Sequence, residues 1–378
     1  MAILLKMELN KVIIAPDSYK GTLSAKQAAD IISQEVSAAF PNCSIVKMPI
    51  ADGGEGSVDT IISAIGGETY SVQALSPDNR IIPAYFGITA NGTAVIEMAQ
   101  SSGLTKQNGL HPMTADTYGF GQLILAALDR GAADFILCIG GSATTDGGCG
   151  MAAAIGVRFL DSMGNSFVPC GGTLAEISKI DVSRIDKRIS ESRFTVMCDV
   201  ENPLYGTSGA AHIYGPQKGA STEQVAVLDA GLRHLGDVLS KLFDKDYASV
   251  SGAGAAGGLG AGCMAFLGAS LMRGSDAILE LCGFSGHIAE SDLIITGEGK
   301  LDDQSFNGKV LSGILRDAGG VHVCSICGIC ECDEAMLRRY GISVYEACDG
   351  IPVEECMADP AKYIRIAAQK AMRDIHIA

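Results

Sequence analysis

The sequence predicts an α/β protein: a doubly wound parallel sheet into which a second α/β domain is inserted, with the active site in the cleft between the two domains. Three observations carry this. Both ends of the chain alternate short, unbroken apolar runs with segments of helical period, the grammar of a parallel sheet covered on both faces. The middle carries turn signals of the hairpin kind instead. Acid-bearing glycine loops follow directly on several apolar runs, where ligands gather in open α/β sheets.

The elements follow in order. Lys11 to Ala15 is an apolar run suited to a buried parallel strand. Ser24 caps a helix running to about Phe40, with Ala25, Ala28, Ala29, Ile32 and Val36 along one side. Ser44 to Ile50 is the next strand and Glu55 to Ile65 the next helix. From Glu68 to Glu97, short strands meet turns at Pro77-Asp78-Asn79 and Asn91-Gly92. Strands near 135–139, 157–160 and 194–198 then mix with helices near 118–130, 147–156 and 222–243. The opening pattern returns at the end. Strands near 291–296, 322–326 and 342–347 alternate with helices near 308–318, 333–340 and 360–373. One domain is therefore expected from residues 1–67 with 285–378, and the inserted one from 68–284.

Composition narrows the function. The 378 residues suffice for two domains, and the shares of 47% hydrophobic and 19% charged residues are those of a globular protein. A formal charge of −15 disfavours nucleic acid and anionic membrane surfaces as partners. Tryptophan is absent and aromatics are 6%, which weakens any base-stacking platform. The apolar run at Ile3-Leu4-Leu5 is too short for a signal peptide, and no segment has the length of a membrane span, so a cytoplasmic location is expected. Glycine is the outlier, 47 residues clustered in loops with defined neighbours.

Those loops carry the chemistry. Phosphate handling needs glycines that let backbone N–H groups approach oxygens, and carboxylates that hold a hard cation. In Ala15-Pro-Asp-Ser-Tyr-Lys-Gly21, Asp17 suits a metal or a hydroxyl, and Ser18 and Lys20 suit an anion; a simple Pro-Asp-Ser turn is the alternative. In Asp52-Gly53-Gly54-Glu55-Gly56, Asp52 suits Mg²⁺ or a substrate hydroxyl, and equally a helix cap. Gly140 to Gly148 has the makings of a phosphate nest, with glycines, the hydroxyls of Ser142, Thr144 and Thr145, and Asp146 before a helix. It is not a Walker sequence. Gly252 to Gly262 contains a weak GxGxxG match and includes Gly257 and Gly258, with close helix packing the competing explanation. Asp199 and Asn202 follow a strand, where an acid can accept a proton from a hydroxyl. Lys218 adds a cation, and Glu298, Lys300 and Asp302 an acid pair with a lysine. The six histidines show no zinc or triad spacing, and no GxSxG elbow is present.

Thirteen cysteines are mostly set in strand-like runs and suit free buried thiols in a reducing compartment. Cys324, Cys327, Cys330 and Cys332 have a spacing superficially like a metal site. A buried strand over 322–326 is favoured, since it would point Cys324 and Cys327 to opposite faces.

Taken together and in order, these motifs resemble the bacterial type I glycerate kinases over about residues 11 to 320. The matching stretches begin at Ala15, Ala51, Gly140, Asp199, Pro216, Gly252 and Thr296. Two departures stand out: Thr145 where the family commonly has Asn, and no Pro after Gly308-Lys309. The resemblance implies ATP-dependent phosphorylation of D-glycerate, most often at the 2-hydroxyl, with Mg²⁺, on a Rossmann-like domain joined to a second α/β domain. Within the matching motifs it suggests Asp199, Lys20 and Asp17 as catalytic residues and Asp52 and Glu298 as metal ligands. Ser18, Lys20, Gly53, Gly54, Ser142, Thr144, Asp146, Asn202, Lys218, Gly257, Gly258 and Lys300 would contact substrate or phosphate. The partners expected are small molecules, glycerate and ATP; self-assembly stays open. A kinase for another hydroxy acid, a 3-phosphoglycerate-forming kinase and a non-enzymatic anion or metal binder stand as alternatives.

Overall fold

A computed structural model describes residues 9–19, 21–50, 53–54, 56–306 and 310–377. The chain divides into two compact units, one of Met1–Asp52, Ser63–Ile65 and Ser275–Ala378, the other of Gly53–Ile62 and Gly66–Gly274.

The first unit is built on a five-stranded sheet, all parallel, in the order Ile342–Glu346, His322–Cys327, Leu293–Thr296, Lys11–Ile14, Ser44–Lys47. Val12 and Ile14, Leu293 and Ile295, and Cys324 and Ile326 join one core cluster with the helices Ala25–Ala39 and Pro360–Ile377. The alternate residues Ile13, Ile294 and Val323 are buried as well, so the sheet is covered on both faces as its unbroken apolar strands require. The helix Ala25–Ala39 starts where the sequence indicated. Ser24 Oγ accepts from the Gln27 N–H at 3.2 Å, and Gln27 Oε1 accepts from the Ser24 N–H at 2.9 Å. This reciprocal pair satisfies two N–H groups the helix itself cannot. At the other end of the sequence, Asp333 caps Glu334–Tyr340 through the Met336 N–H at 2.7 Å.

The second unit holds a six-stranded sheet in the order Ser270–Met272, Arg193–Met197, Asp134–Cys138, Thr93–Glu97, Ile81–Thr89, Gly67–Leu75. The first four strands are parallel, and the last two join antiparallel as the turn signals foretold. Asn79 takes a left-handed φ of 59° and Gly92 one of 89° at the two turns. A three-stranded antiparallel sheet of Ser166–Phe167, Arg158–Leu160 and Lys179–Asp181 is added. The helix Thr222–Phe243, capped reciprocally by Ser221 and Gln224, buries Leu228, Leu232, Leu235 and Leu239 in the core with Phe120, Phe135 and Phe159. Gly252 to Gly262 is not a uniform helix. Ala255–Leu267 is kinked, with φ of 53°, 71° and 90° at Ala256, Gly257 and Gly258. Gly260 and Gly262 lie where a Cβ would fall 2.3 Å from Gly252 O and 2.4 Å from Gly147 O, so these two serve close packing.

Candidate active site

A cavity of about 360 Å³ lies in the first unit, at the carboxyl ends of four of its parallel strands. Asp17, Ser18, Tyr19 and Thr22 reach it after Lys11–Ile14, and Glu298, Lys300 and Asp302 after Leu293–Thr296. Between those two strands the sheet order reverses, which is where open α/β sheets open a crevice. The two loops are tied together. The Asp17 N–H donates to Gly297 O at 2.8 Å, and buried Tyr19 donates its hydroxyl to Ile326 O. Burial, then the charges of Cys327, Glu298 and Asp17, hold the Tyr19 phenol well above its ordinary range, so it stays a proton donor. Gly297 cannot be otherwise here: a Cβ would stand 2.0 Å from Ile326 O and 2.3 Å from the Tyr19 hydroxyl. Asp17 is half-buried and accepts from the Ser18 N–H at 2.6 Å. Lys300 is exposed and pairs with Glu331 at 2.7 Å.

The second unit gathers the other loops. Asp146 is fully buried and accepts four hydrogen bonds: Thr117 N–H at 2.9 Å, Thr117 Oγ1 at 2.7 Å, Gly150 N–H at 3.0 Å and Gly148 N–H at 3.2 Å. Burial still leaves its carboxyl above the usual range, because desolvation outweighs those donors. Lys218 is only 1% exposed. Its Nζ donates to Ser142 Oγ at 2.7 Å and Thr144 O at 2.6 Å. Burial pushes this amine down to about 7, against the opposing charge of Asp146. Thr144 Oγ1 and Thr145 Oγ1 are buried without a hydrogen-bond partner among the described residues. Asp199 lies exposed beyond the carboxyl end of Arg193–Met197 and accepts from the Gly274 N–H at 2.8 Å.

A sequence profile described as the glycerate kinase family matches residues 12–376. The chain belongs to this family. Membership makes it an enzyme of the kinase class. It is 40% identical over 375 residues to a protein of Bacillus subtilis named glycerate kinase, covering 97% of this chain and 98% of that one. It is 42% identical over 337 residues to an Escherichia coli protein named glycerate 2-kinase, covering 88% of each. A crystal structure from Salmonella typhimurium, assigned provisionally as glycerate kinase 2, superposes with a TM-score of 0.86 at 36% identity, covering 97% of this chain and 98% of that one.

The remaining expected site residues of this kinase fall as follows. Lys20 and Asp52 lie outside the described residues. Gly53 accepts from the Gly140 N–H at 3.1 Å, and Gly54 accepts from Ser57 Oγ at 2.7 Å. Asn202 uses both ends of its amide, donating to Ser208 O and accepting from the Tyr214 hydroxyl, each at 2.7 Å. Gly257 O accepts from the Gly147 N–H at 3.1 Å, joining the nest loop to the kinked helix, and Gly258 continues the same left-handed turn. Cys324 and Cys327 are buried in the strand His322–Cys327, and burial pushes the Cys324 thiol up to about 12. Among the described residues no group of three or more histidine, cysteine or acidic side chains is arranged to hold a metal.

Sequence reasoning missed two buried acids. Glu97 ends the strand Thr93–Glu97 and accepts from the Val58 N–H at 2.7 Å; burial raises its carboxyl. Asp116 is pushed up to about 7 by burial, with Asp146 adding to the rise. An acid closing the apolar run Thr-Ala-Val-Ile-Glu was a readable signal for the first. The second has none, because its environment is made by distant chain.

Proposed function

We propose that this kinase transfers the terminal phosphoryl group of ATP to the 2-hydroxyl of D-glycerate, giving 2-phosphoglycerate and ADP. The observation that carries the reading is the match to the family over 12–376, joined to the glycerate 2-kinase of Escherichia coli among its relatives. The substrate hydroxyl oxygen bonds to phosphorus while the bond from phosphorus to the ADP oxygen breaks. The hydroxyl proton passes to Asp199, whose carboxylate the Gly274 N–H holds in place. Lysine ammonium groups at Lys20 or Lys300 neutralise phosphate or the glycerate carboxylate, whereas Lys218, buried with its Nζ donating to Ser142 Oγ and Thr144 O, braces the loop that carries those residues. Most of the catalysis is then positioning and electrostatics, as phosphoryl transfer demands.

The chemistry of the donors suits a divalent cation, since carboxylate oxygens favour a hard ion and Asp17, Glu298 and Asp302 border one cavity, although the described residues do not form a ready three-ligand cluster. Asp52 and Glu298 are the ligands assigned to Mg²⁺, which when bound supplies positive charge against the phosphates.

The test is Asp199→Asn. Turnover, measured as ADP release with D-glycerate, should fall by about 10²–10⁴-fold with unchanged unfolding temperature. A rate near that of the unaltered enzyme removes Asp199 from the proton transfer. Phosphorus NMR of the product separates 2- from 3-phosphoglycerate.

A further inference from the structure

The lining of the first unit's cavity is of two chemical kinds. Asp17, Glu298, Lys300 and Asp302 are charged. Other lining residues are apolar: Val353, Cys356 and Met357 from Val353–Ala358, and Ile364 from Pro360–Ile377. Cys356 and Ile364 are buried, at 4% and 2% exposure, whereas Val353 and Met357 stand open at 41% and 53%.

Glycerate does not explain those apolar residues. A three-carbon acid made almost wholly of oxygens and their carbons would lose its hydration against side chains that offer no compensating donors. It would also leave most of the space empty, since volumes of about 300–1,000 Å³ belong to sites that engulf larger ligands. A flat base of the nucleotide kind has the complementary character. Its faces are apolar, and thioether and thiol sulfur pack well on aromatic rings. The charged residues lie at the reversal of strand order, the place where parallel sheets of this kind receive phosphates.

We propose that these apolar residues seat the base of the nucleoside triphosphate donor, with the phosphates running toward Asp17, Glu298 and Lys300. The inference rests on the reading of the chain as an ATP-using kinase and adds where the donor binds. Val353 and Met357 are the specificity-determining positions: a bound base covers apolar surface that the fold leaves open.

The experiment titrates the full-length enzyme with ADP and Mg²⁺ by calorimetry, for the unaltered chain, Val353→Asp and Met357→Asp. Both positions face solvent, so folding should persist, and unfolding temperature is recorded alongside. Losing an apolar contact and placing a carboxylate beside the base should weaken ADP binding by about tenfold or more. The KM for ATP should rise in parallel, and that for D-glycerate should stay within about twofold. An azidoadenine analogue of ATP, photolysed and mapped by peptide mass spectrometry, should label 353–364. ADP affinity unchanged in both variants, with glycerate-dependent ADP release intact in the unaltered enzyme, puts the base elsewhere and leaves the kinase reading standing. A shift in the D-glycerate KM in place of ADP affinity also overturns the proposal, as does an unaltered enzyme that binds no ADP. If D-glycerate elicits no ADP release but the variants still lose ADP binding, the base site holds and the acceptor assignment fails.

Discussion

Replacing Lys218 with Met tests whether the amine is held by its hydrogen bonds or penalised by its burial. The side chain is nearly inaccessible, and burial brings its pKa from 10.5 down to about 7. Below about pH 7 both folded and unfolded chains carry the proton, and the folded state bears the full penalty, roughly 4–5 kcal/mol for a shift of this size. The contacts to Ser142 Oγ and Thr144 O return only about 1–3 kcal/mol. Between 7 and 10.5 the unfolded chain binds more protons than the folded one, so the lysine's contribution to stability improves as pH rises. Methionine does not titrate. The stability of Lys218→Met relative to the unaltered protein should therefore fall by about 3 kcal/mol between about pH 6.5 and 9.5. Urea unfolding followed by far-ultraviolet circular dichroism, repeated across that range, reads the difference without screening charges. A difference that stays flat with pH refutes the reasoning, because it means the ammonium keeps its proton and Asp146 with the two acceptors outweighs desolvation.

Asp146→Ala leaves the Thr117, Gly148 and Gly150 N–H groups and the Thr117 hydroxyl without their buried acceptor, and should cost about 3–5 kcal/mol in urea unfolding. Gly297→Ala forces a methyl group against Ile326 O and the Tyr19 hydroxyl. It should lower unfolding free energy by about 1–3 kcal/mol and slow ADP release, since Asp17 hangs from the same residue. Glu298→Gln should raise the Mg²⁺ concentration needed for half-maximal ADP release by about tenfold while leaving the unfolding temperature unchanged.

What could be read from the sequence was local. The Ser24–Gln27 and Ser221–Gln224 boxes involve residues three apart, so their hydrogen bonds are written in the chain. The hairpins at Asn79 and Gly92 were legible for the same reason, and so were the apolar strands of the first sheet. The apolar lining of the cavity was not. The helix Val353–Ala358 is not among the elements read from the sequence, and only tertiary packing brings Ile329 and Ile364 to the same cavity as Val353, Cys356 and Met357. Lys218 looked like a loop cation because nothing near it in sequence announces Ser142, 76 positions earlier, as its partner. The glycines of 252–262 divided: Gly257 and Gly258 take turn conformations that periodicity cannot reveal, while Gly260 and Gly262 obey packing.

The pairing of Lys11–Ile14 with Leu293–Thr296 has a consequence for how the molecule is made. Thr296 Oγ1 donates to Ala15 O across 281 positions of sequence, and Val12 stands opposite Leu293. A ribosome releases residues in order, so the first strand emerges long before its central neighbour exists. Until then it can pair only with Ser44–Lys47. The stretch Gly66–Gly274 is contiguous and can complete its own sheet during that wait. The early strand pair meanwhile presents an unfinished apolar edge, so the nascent chain is most exposed to wrong partners during synthesis of its own middle.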